Sequence, residues 1–451
     1  MFKTLLNLFR STDKNSLEAL KQHAEQGDAE AMYQLGRFYH IGEVVEADYD
    51  KAMTLYHRAN ALGYPLAASN IGALYDDMGE PEKSVEWFEQ GIRQDDKRAT
   101  INLGRFYLLG IGVEQDTFKG MQMLEKYDNN GLASYLLAQV YDGVIGYDVP
   151  INYPKALEYY LFAEKNKQDL FIQQIVVGKD LDDSFHLLHH HGVAFENELI
   201  ALRIYFDKRQ TLDLYGKKRK GLEIKDTQFY PNKQQLLDGY GDDILWAGNA
   251  LGLGALRGWV ECKEQLLDDV EYRGQHIVCQ GPIRTIVEAT DKGWLWKKGE
   301  NRISLKQRFT LYAGCRDVVF EAWLNPSNDS IRFFTGLQHL LNGREYSDHE
   351  GLRGNWGKSC NPTDSIMAHA QTLGMGIFVP DEYLCQEIPC DSLNDAFIVA
   401  PQNGYLRYYL TYSSDKESYG FHQAQSWFSY LKRWKELLAH PIRVDVICKN
   451  S

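Results

Sequence analysis

The sequence predicts a multidomain chain: an α-solenoid of helix-pair repeats over residues 1–168, a linker over 169–184, and a mainly-β domain, an antiparallel β-sandwich, over 185–451. Two observations predict it. A Leu-Gly-x-x-Tyr pattern recurs through the first third of the chain. Past about residue 185, helical periodicity gives way to short alternating or β-branched runs bounded by Gly, Asp, Asn and Pro. A length of 451 residues allows about two to four domains at roughly 100–200 residues each.

In the helical part, Leu35-Gly36-x-x-Tyr39 aligns with Ile71-Gly72-x-x-Tyr75, Leu103-Gly104-x-x-Tyr107 and Leu137-Ala138-x-x-Tyr141, the second positions lying 36, 32 and 34 residues apart. A second helical segment follows each, clearest in Lys51-Ala52-x-x-Leu55-Tyr56-x-x-Ala59 and Lys155-Ala156-x-x-Tyr159-Tyr160-x-x-Ala163. Gly or Ala in the first helix lets the second approach closely, and the aromatic three residues on fills the space behind that crossing. Gly42 and Gly110-x-Gly112 between the helices supply the positive φ of a C-cap turn. One pair cannot bury its apolar face alone, so stacked neighbours provide the core. Residues 16–26 (SLEALKQHAEQ) read as a lone leading helix that caps the stack.

The order A-x-x-L-G-x-x-Y, G-x-G-V, acidic-x-x-K-A resembles the Sel-one-like subclass of tetratricopeptide-type repeats. Residues 99–119 match it closely through Ala99, Leu103, Gly104, Tyr107, Gly110, Gly112, Val113, Asp116 and Lys119. The second repeat has Met78-Gly79-Glu80-Pro81 in place of the long loop. The resemblance implies a groove that docks a protein partner; the competing expectation is an array that packs only on its own C-terminal domain.

In the β-rich part, strands are expected at Leu199–Phe206, Gln275–Cys279, Ile283–Ala289, Phe309–Tyr312, Val318–Trp323, Gly376–Val379, Phe397–Ala400 and Tyr405–Tyr412. A helix is expected at Gln423–His440, where Trp427, Phe428, Leu431, Trp434, Leu437 and Leu438 recur at helical spacing. Four segments carry a second resemblance: Glu196-Asn197-Glu198-Leu199-Ile200-Ala201-Leu202-Arg203, an acidic Asp242-Asp243 before Gly248-x-x-Leu251-Gly252-x-Gly254, Gly281-Pro282-Ile283-Arg284-Thr285, and Ile303-Ser304-Leu305. In this order they resemble a bacterial family known as domain of unknown function 4861, over roughly residues 185–447. The resemblance implies a mutarotase-like supersandwich with a sugar-related role. The chain departs from the family in carrying repeats where the usual leader stands, and in Glu198 and Leu199 where the family has Asp and Arg.

The candidate catalytic group is His189 and His190 with Glu196 and Glu198. On one strand the two glutamates would share a face, and paired carboxylates beside an imidazole supply a general acid and base for glycosidic cleavage or sugar-ring opening. Arg203 or Arg209 would grip a uronate carboxylate bidentately. Tyr205, Asp242, Trp246 and His339 complete the expected substrate contacts, with Trp246, Trp259, Trp294 or Trp356 stacking on a pyranose. Metal binding is a second option, with His339, His349 and Glu350 as remote partners. No H-E-x-x-H or other diagnostic ligand set occurs, so no metal ligand is assigned. The bland alternative is that the histidines cap a strand. The glycines after Asp243 form neither a Walker nor a dinucleotide fingerprint, and no cofactor is named by the sequence.

Net charge is −13, and residues 1–170 carry most of it, 17 Lys+Arg against 26 Asp+Glu. Such a chain repels phosphate backbones, which argues against nucleic acid. No apolar run reaches a membrane span. The residues at 1–10 lack a signal-peptide core and read as one helical turn. All seven cysteines lie past residue 260, without a C-x-x-C pair, and fit scattered core thiols in a reduced cytoplasm. Two functions are therefore carried forward. One is a carbohydrate-active or sugar-binding domain acting on acidic oligosaccharides; the other is a non-enzymatic interaction, regulatory or immunity protein.

Overall fold

The computed structural model describes residues 14–42, 45–146, 148–166, 174–179, 181, 184, 186–187, 191–359 and 371–440. The chain divides into two compact units, Met1–Phe171 and Ile172–Ser451.

In the first unit, a leading helix, Lys14–Glu25, precedes four helix pairs: Ala29–Ile41 with Tyr49–Ala61, Ala67–Asp77 with Pro81–Arg93, Lys97–Leu109 with Thr117–Glu125, and Gly131–Tyr141 with Tyr153–Lys165. Short polar residues start the helices. Asp28, Asp48, Asp96, Asp116 and Asn130 each accept hydrogen bonds from first-turn backbone N–H groups, satisfying donors that have no partner inside the helix. The recurrent glycine has a steric cause. A Cβ on Gly36 would stand 2.8 Å from the Tyr56 ring, and one on Gly72 2.6 Å from the Phe88 ring. The lysine and tyrosine of the repeat also meet: Lys119 Nζ donates to the Tyr107 hydroxyl at 2.6 Å, and Lys155 Nζ to that of Tyr141 at 2.6 Å. The repeat tyrosine thus ties the two helices of a pair as well as filling space.

The second unit is built of antiparallel strands in chain order: β1 Gln174–Gly178, β2 Gly192–Glu196, β3 Ala201–Tyr205, β4 Leu212–Gly216, β5 Asp242–Asp243, β6 Arg257–Val260, β7 Lys263–Gln265, β8 Tyr272–Gln280 and β9 Arg284–Trp294. The remainder are β10 Ile303–Tyr312, β11 Asp317–Asn325, β12 Phe333–Gln338, β13 Leu341–Ser347, β14 Leu352–Lys358, β15 Thr372–Phe378, β16 Leu384–Glu387, β17 Asn394–Val399 and β18 Tyr405–Ser414. A nine-stranded sheet runs β1-β8-β9-β10-β11-β18-β15-β14-β13; a five-stranded sheet runs β16-β17-β12-β6-β7, and a four-stranded sheet β2-β3-β4-β5.

One core lies between the sheets. It gathers Leu202 and Leu214 from the four-stranded sheet, Val287, Phe309, Phe320 and Leu410 from the nine-stranded sheet, and Phe333 and Phe397 from the five-stranded sheet. Alternation produces this: on β11, Val318, Phe320, Ala322 and Leu324 are buried while their neighbours are less so. The predicted C-terminal helix spans Ala424–Ala439 and lays Trp427, Leu431 and Trp434 over Leu352 and Trp356 of β14 and Phe378 of β15. Gly354 and Gly376 leave the space that Leu431 fills.

Two readings change. The stretch 169–184, expected as linker, contributes β1, which pairs with β8 from Gln174↔His276 to Gly178↔Tyr272. The described cysteines Cys262, Cys279, Cys315, Cys385 and Cys390 are free, as expected, yet none is buried in the core. The N-terminal turn at residues 1–10 lies outside the described residues. Among those described, no helix is long and apolar enough to cross a membrane.

Candidate functional site

The expected catalytic group does not assemble as one carboxylate pair. β2 ends at Glu196, and Asn197 turns the chain by accepting the Leu199 and Ile200 N–H groups on its Oδ1. Glu198 therefore lies past the strand, and the shared-face argument fails for lack of a strand there. Glu196 ion-pairs with the fully buried Lys217 at 2.5 Å and accepts the backbone N–H groups of Glu223 and Ile224. Glu198 Oε1 accepts the Gly314 N–H at 2.7 Å. His189 and His190 lie outside the described residues. Their neighbour His191 stands edge-on to Tyr230, ring centroids 6.3 Å apart.

Arg203 and Tyr205 belong to a buried charge cluster. The register sets Arg203 on β3 opposite Asp213 on β4. Arg203 reaches Asp213 at 2.5 Å and Asp243 at 2.9 Å, and donates to the Tyr230 hydroxyl at 2.6 Å. Tyr205 donates its hydroxyl proton to Asp213 Oδ2 at 2.8 Å. Burial works against the Arg203 charge, but Asp213 and Asp243 outweigh it and hold its pKa above the ordinary value. With 3 % of its side chain exposed, Arg203 cannot receive a uronate. Asp242, half-buried on β5, accepts the Asp243 N–H. The Arg203–Asp213 pair reads as structure, since each charge has its partner where water is excluded.

Trp246 and His339 stand elsewhere. The Trp246 side chain is open to solvent, the residue 54 % exposed, while its backbone N–H donates to Ser359 Oγ and its carbonyl accepts from Gln338 Nε2. Next along the chain, His339 Nδ1 lies 3.1 Å from Glu345 Oε1 and 3.5 Å from Asp395 Oδ1. Glu345 and Asp395 border a cavity of ≈ 320 Å³ with Ser347, His349, Arg353, Glu387 and Cys390. Within it His349 Nδ1 is 2.9 Å from Glu387 Oε2, and Arg353 donates to Glu387 Oε1. Burial raises the Glu387 pKa, but His349, Ser347 and Arg353 outweigh it and hold the carboxyl below its usual range. Burial, with Asp395 and Glu345 alongside, pushes the Cys390 thiol up. The sequence singled out His349 at the cavity and His339 beside its Glu345 and Asp395, but neither carboxylate.

The repeats hold a cavity of their own, ≈ 410 Å³, bordered by Leu35, Tyr39, Lys51, Leu55 and Arg58 together with Lys21 and Glu25 of the leading helix. Apolar side chains flanked by both signs of charge suit a peptide segment.

A family model described as "Domain of unknown function (DUF4861)" matches residues 154–444. The chain belongs to that family. Sel1 repeats match at 29–64, 67–96, 97–126 and 131–166, so the helical unit is a protein-interaction module ahead of the DUF4861 domain. Among curated relatives, Chitin synthase regulatory factor 4 of Schizosaccharomyces pombe is 29 % identical over 150 residues, 30 % of this chain and 24 % of that protein. The ERAD-associated E3 ubiquitin-protein ligase component HRD3B of Arabidopsis thaliana is 32 % identical over 117 residues, 25 % of this chain and 19 % of that protein. The chain thus spans about a quarter or less of these relatives. A solved structure of a protective antigen from uropathogenic Escherichia coli with an SLR fold is 31 % identical with a TM-score of 0.31, covering 35 % of this chain and 34 % of that one.

Proposed function

We propose that the Sel1 repeats hold a segment of a protein partner and that the DUF4861 domain binds a carbohydrate in the cavity bordered by Glu345, Arg353, Glu387 and Asp395. The observation that carries the reading is that cavity's lining, which brings three carboxylates, a guanidinium, an imidazole and a serine hydroxyl together. Carboxylates such as that of Glu345, whose side chain is 40 % exposed, accept from sugar hydroxyls. A hydrogen-bonded path joins Trp246 to this region through Gln338, whose carbonyl accepts from Asn355, which in turn donates to Asp395.

An acidic oligosaccharide was expected on the strength of Arg203 or Arg209. Arg203 is enclosed, Arg209 is paired with Asp207 at 2.5 Å, and the cavity is bordered by three carboxylates, so a neutral sugar suits it better. The second reading, a non-enzymatic regulatory or immunity protein, is favoured by the structural engagement of Glu196 and Arg203.

The test is a binding and turnover screen of the full-length protein against neutral and uronate-bearing oligosaccharides. Binding of neutral sugars without turnover supports a lectin-like role; no binding in either set removes the carbohydrate and leaves the regulatory reading. For the repeats, affinity capture should yield a partner that is lost when Tyr39 and Arg58 are both replaced by Ala. Capture indifferent to those changes would place docking elsewhere.

A further inference from the structure

We propose that His339, Glu345 and Asp395 form a site for a divalent transition-metal ion, with Zn²⁺ the ion their donors suit. One imidazole nitrogen and two carboxylate oxygens lie within 4.8 Å of one another. The separation of 3.5 Å from His339 Nδ1 to Asp395 Oδ1 falls within the edge of a coordination tetrahedron, about 3.3–3.6 Å for bonds of about 2.0–2.2 Å, and the 3.1 Å to Glu345 Oε1 is a little short of it. A nitrogen with two carboxylates leaves a fourth position for water or a ligand hydroxyl, as open zinc sites do.

Burial supplies the second observation. The Asp395 side chain is 4 % exposed, and neither its Oδ1 nor His339 Nδ1 has a hydrogen-bond partner among the described residues. Buried polar atoms without partners are costly, and here two of them lie beside each other. The supporting residues select which oxygens remain. Asn355 Nδ2 donates to Asp395 Oδ2 at 3.2 Å, leaving Oδ1 on the His339 side. Cys390 Sγ is hydrogen-bonded to Glu345 Oε2 at 2.9 Å, leaving Oε1 there likewise. Each carboxylate is thus held by one oxygen and offers the other, as outer-shell partners do at metal sites. The inference goes beyond the carbohydrate reading and does not rest on it.

The experiment titrates chelator-stripped full-length protein with ZnCl₂ by calorimetry, with circular dichroism to confirm folding. One equivalent of zinc is expected to bind. Affinity should fall at least tenfold in Glu345→Gln, whose side chain is 40 % exposed and so tolerates exchange, and in His339→Gln, while His422→Ala, at an exposed histidine bonded to the Asp415 carbonyl, binds as the parent does. No binding, parental binding in both Glu345→Gln and His339→Gln, or loss in His422→Ala would overturn the proposal. Zinc bound at one equivalent with no oligosaccharide bound, with or without chelator, would sink the carbohydrate reading alone.

Discussion

Lys217 and Glu196 form an ion pair at 2.5 Å in which the lysine side chain has no exposure and the glutamate 11 %. The ammonium also donates to the Asn197 carbonyl at 2.7 Å, tying the end of β2 to the chain beyond β4. A residue that sequence spacing offers as a catalytic acid is thereby a fastening.

Replacing Glu196 with Gln should therefore act on folding. It leaves a buried ammonium without its counter-charge, a loss of about 3–5 kcal/mol by analogy with broken buried pairs. Denaturant unfolding checks this, and adding Lys217→Met should recover part of the loss. An unchanged midpoint for Glu196→Gln would mean that the pair is not structural.

Gly72→Ala should destabilise the repeats. The added methyl group would stand 2.6 Å from the Phe88 ring, and Phe88 is fully buried, so the helices must part. Overpacking of this kind costs about 1–3 kcal/mol. Thermal melting followed at 222 nm is the measurement, and a Phe88→Leu background should reduce the effect.

The buried Asp142 gives the repeats a pH dependence. Burial is the main cause that raises its carboxyl to about 6, against the opposing hydrogen bonds from Tyr160 and Val144. A carboxyl whose folded pKa lies above its unfolded value holds more protons when folded, so its contribution to stability falls as pH rises from about 4 to 6. Asp142→Asn should remove that slope, at most about 3 kcal/mol. Urea unfolding of both proteins at pH 4.5 and 7 tests it; parallel changes would contradict the assignment.

Legibility followed the range of the interactions. The repeats were readable because Gly36 and Tyr56, or Gly72 and Phe88, meet within one helix pair, leaving a short, recurring spacing. β11 was readable because its burial alternates strictly. β13 was not: Leu341–Ser347 is exposed over most of its length and carries little apolar pattern. Nor was the cluster at His339, whose members come from the end of β12, from β13 and from β17. Pairing of Leu337 with Asp395 brings the first and last together across more than fifty residues. The same blindness to register misread Arg203, because nothing in the linear sequence reveals that Asp213 stands opposite it.

The most direct measurement is hydrogen-exchange mass spectrometry of the full-length protein with and without a saturating neutral oligosaccharide. Protection confined to residues 338–358 and 384–395 is the predicted result. Protection centred on residues 192–217, where Glu196 and Arg203 lie, with none around Glu345 and Asp395, would contradict it.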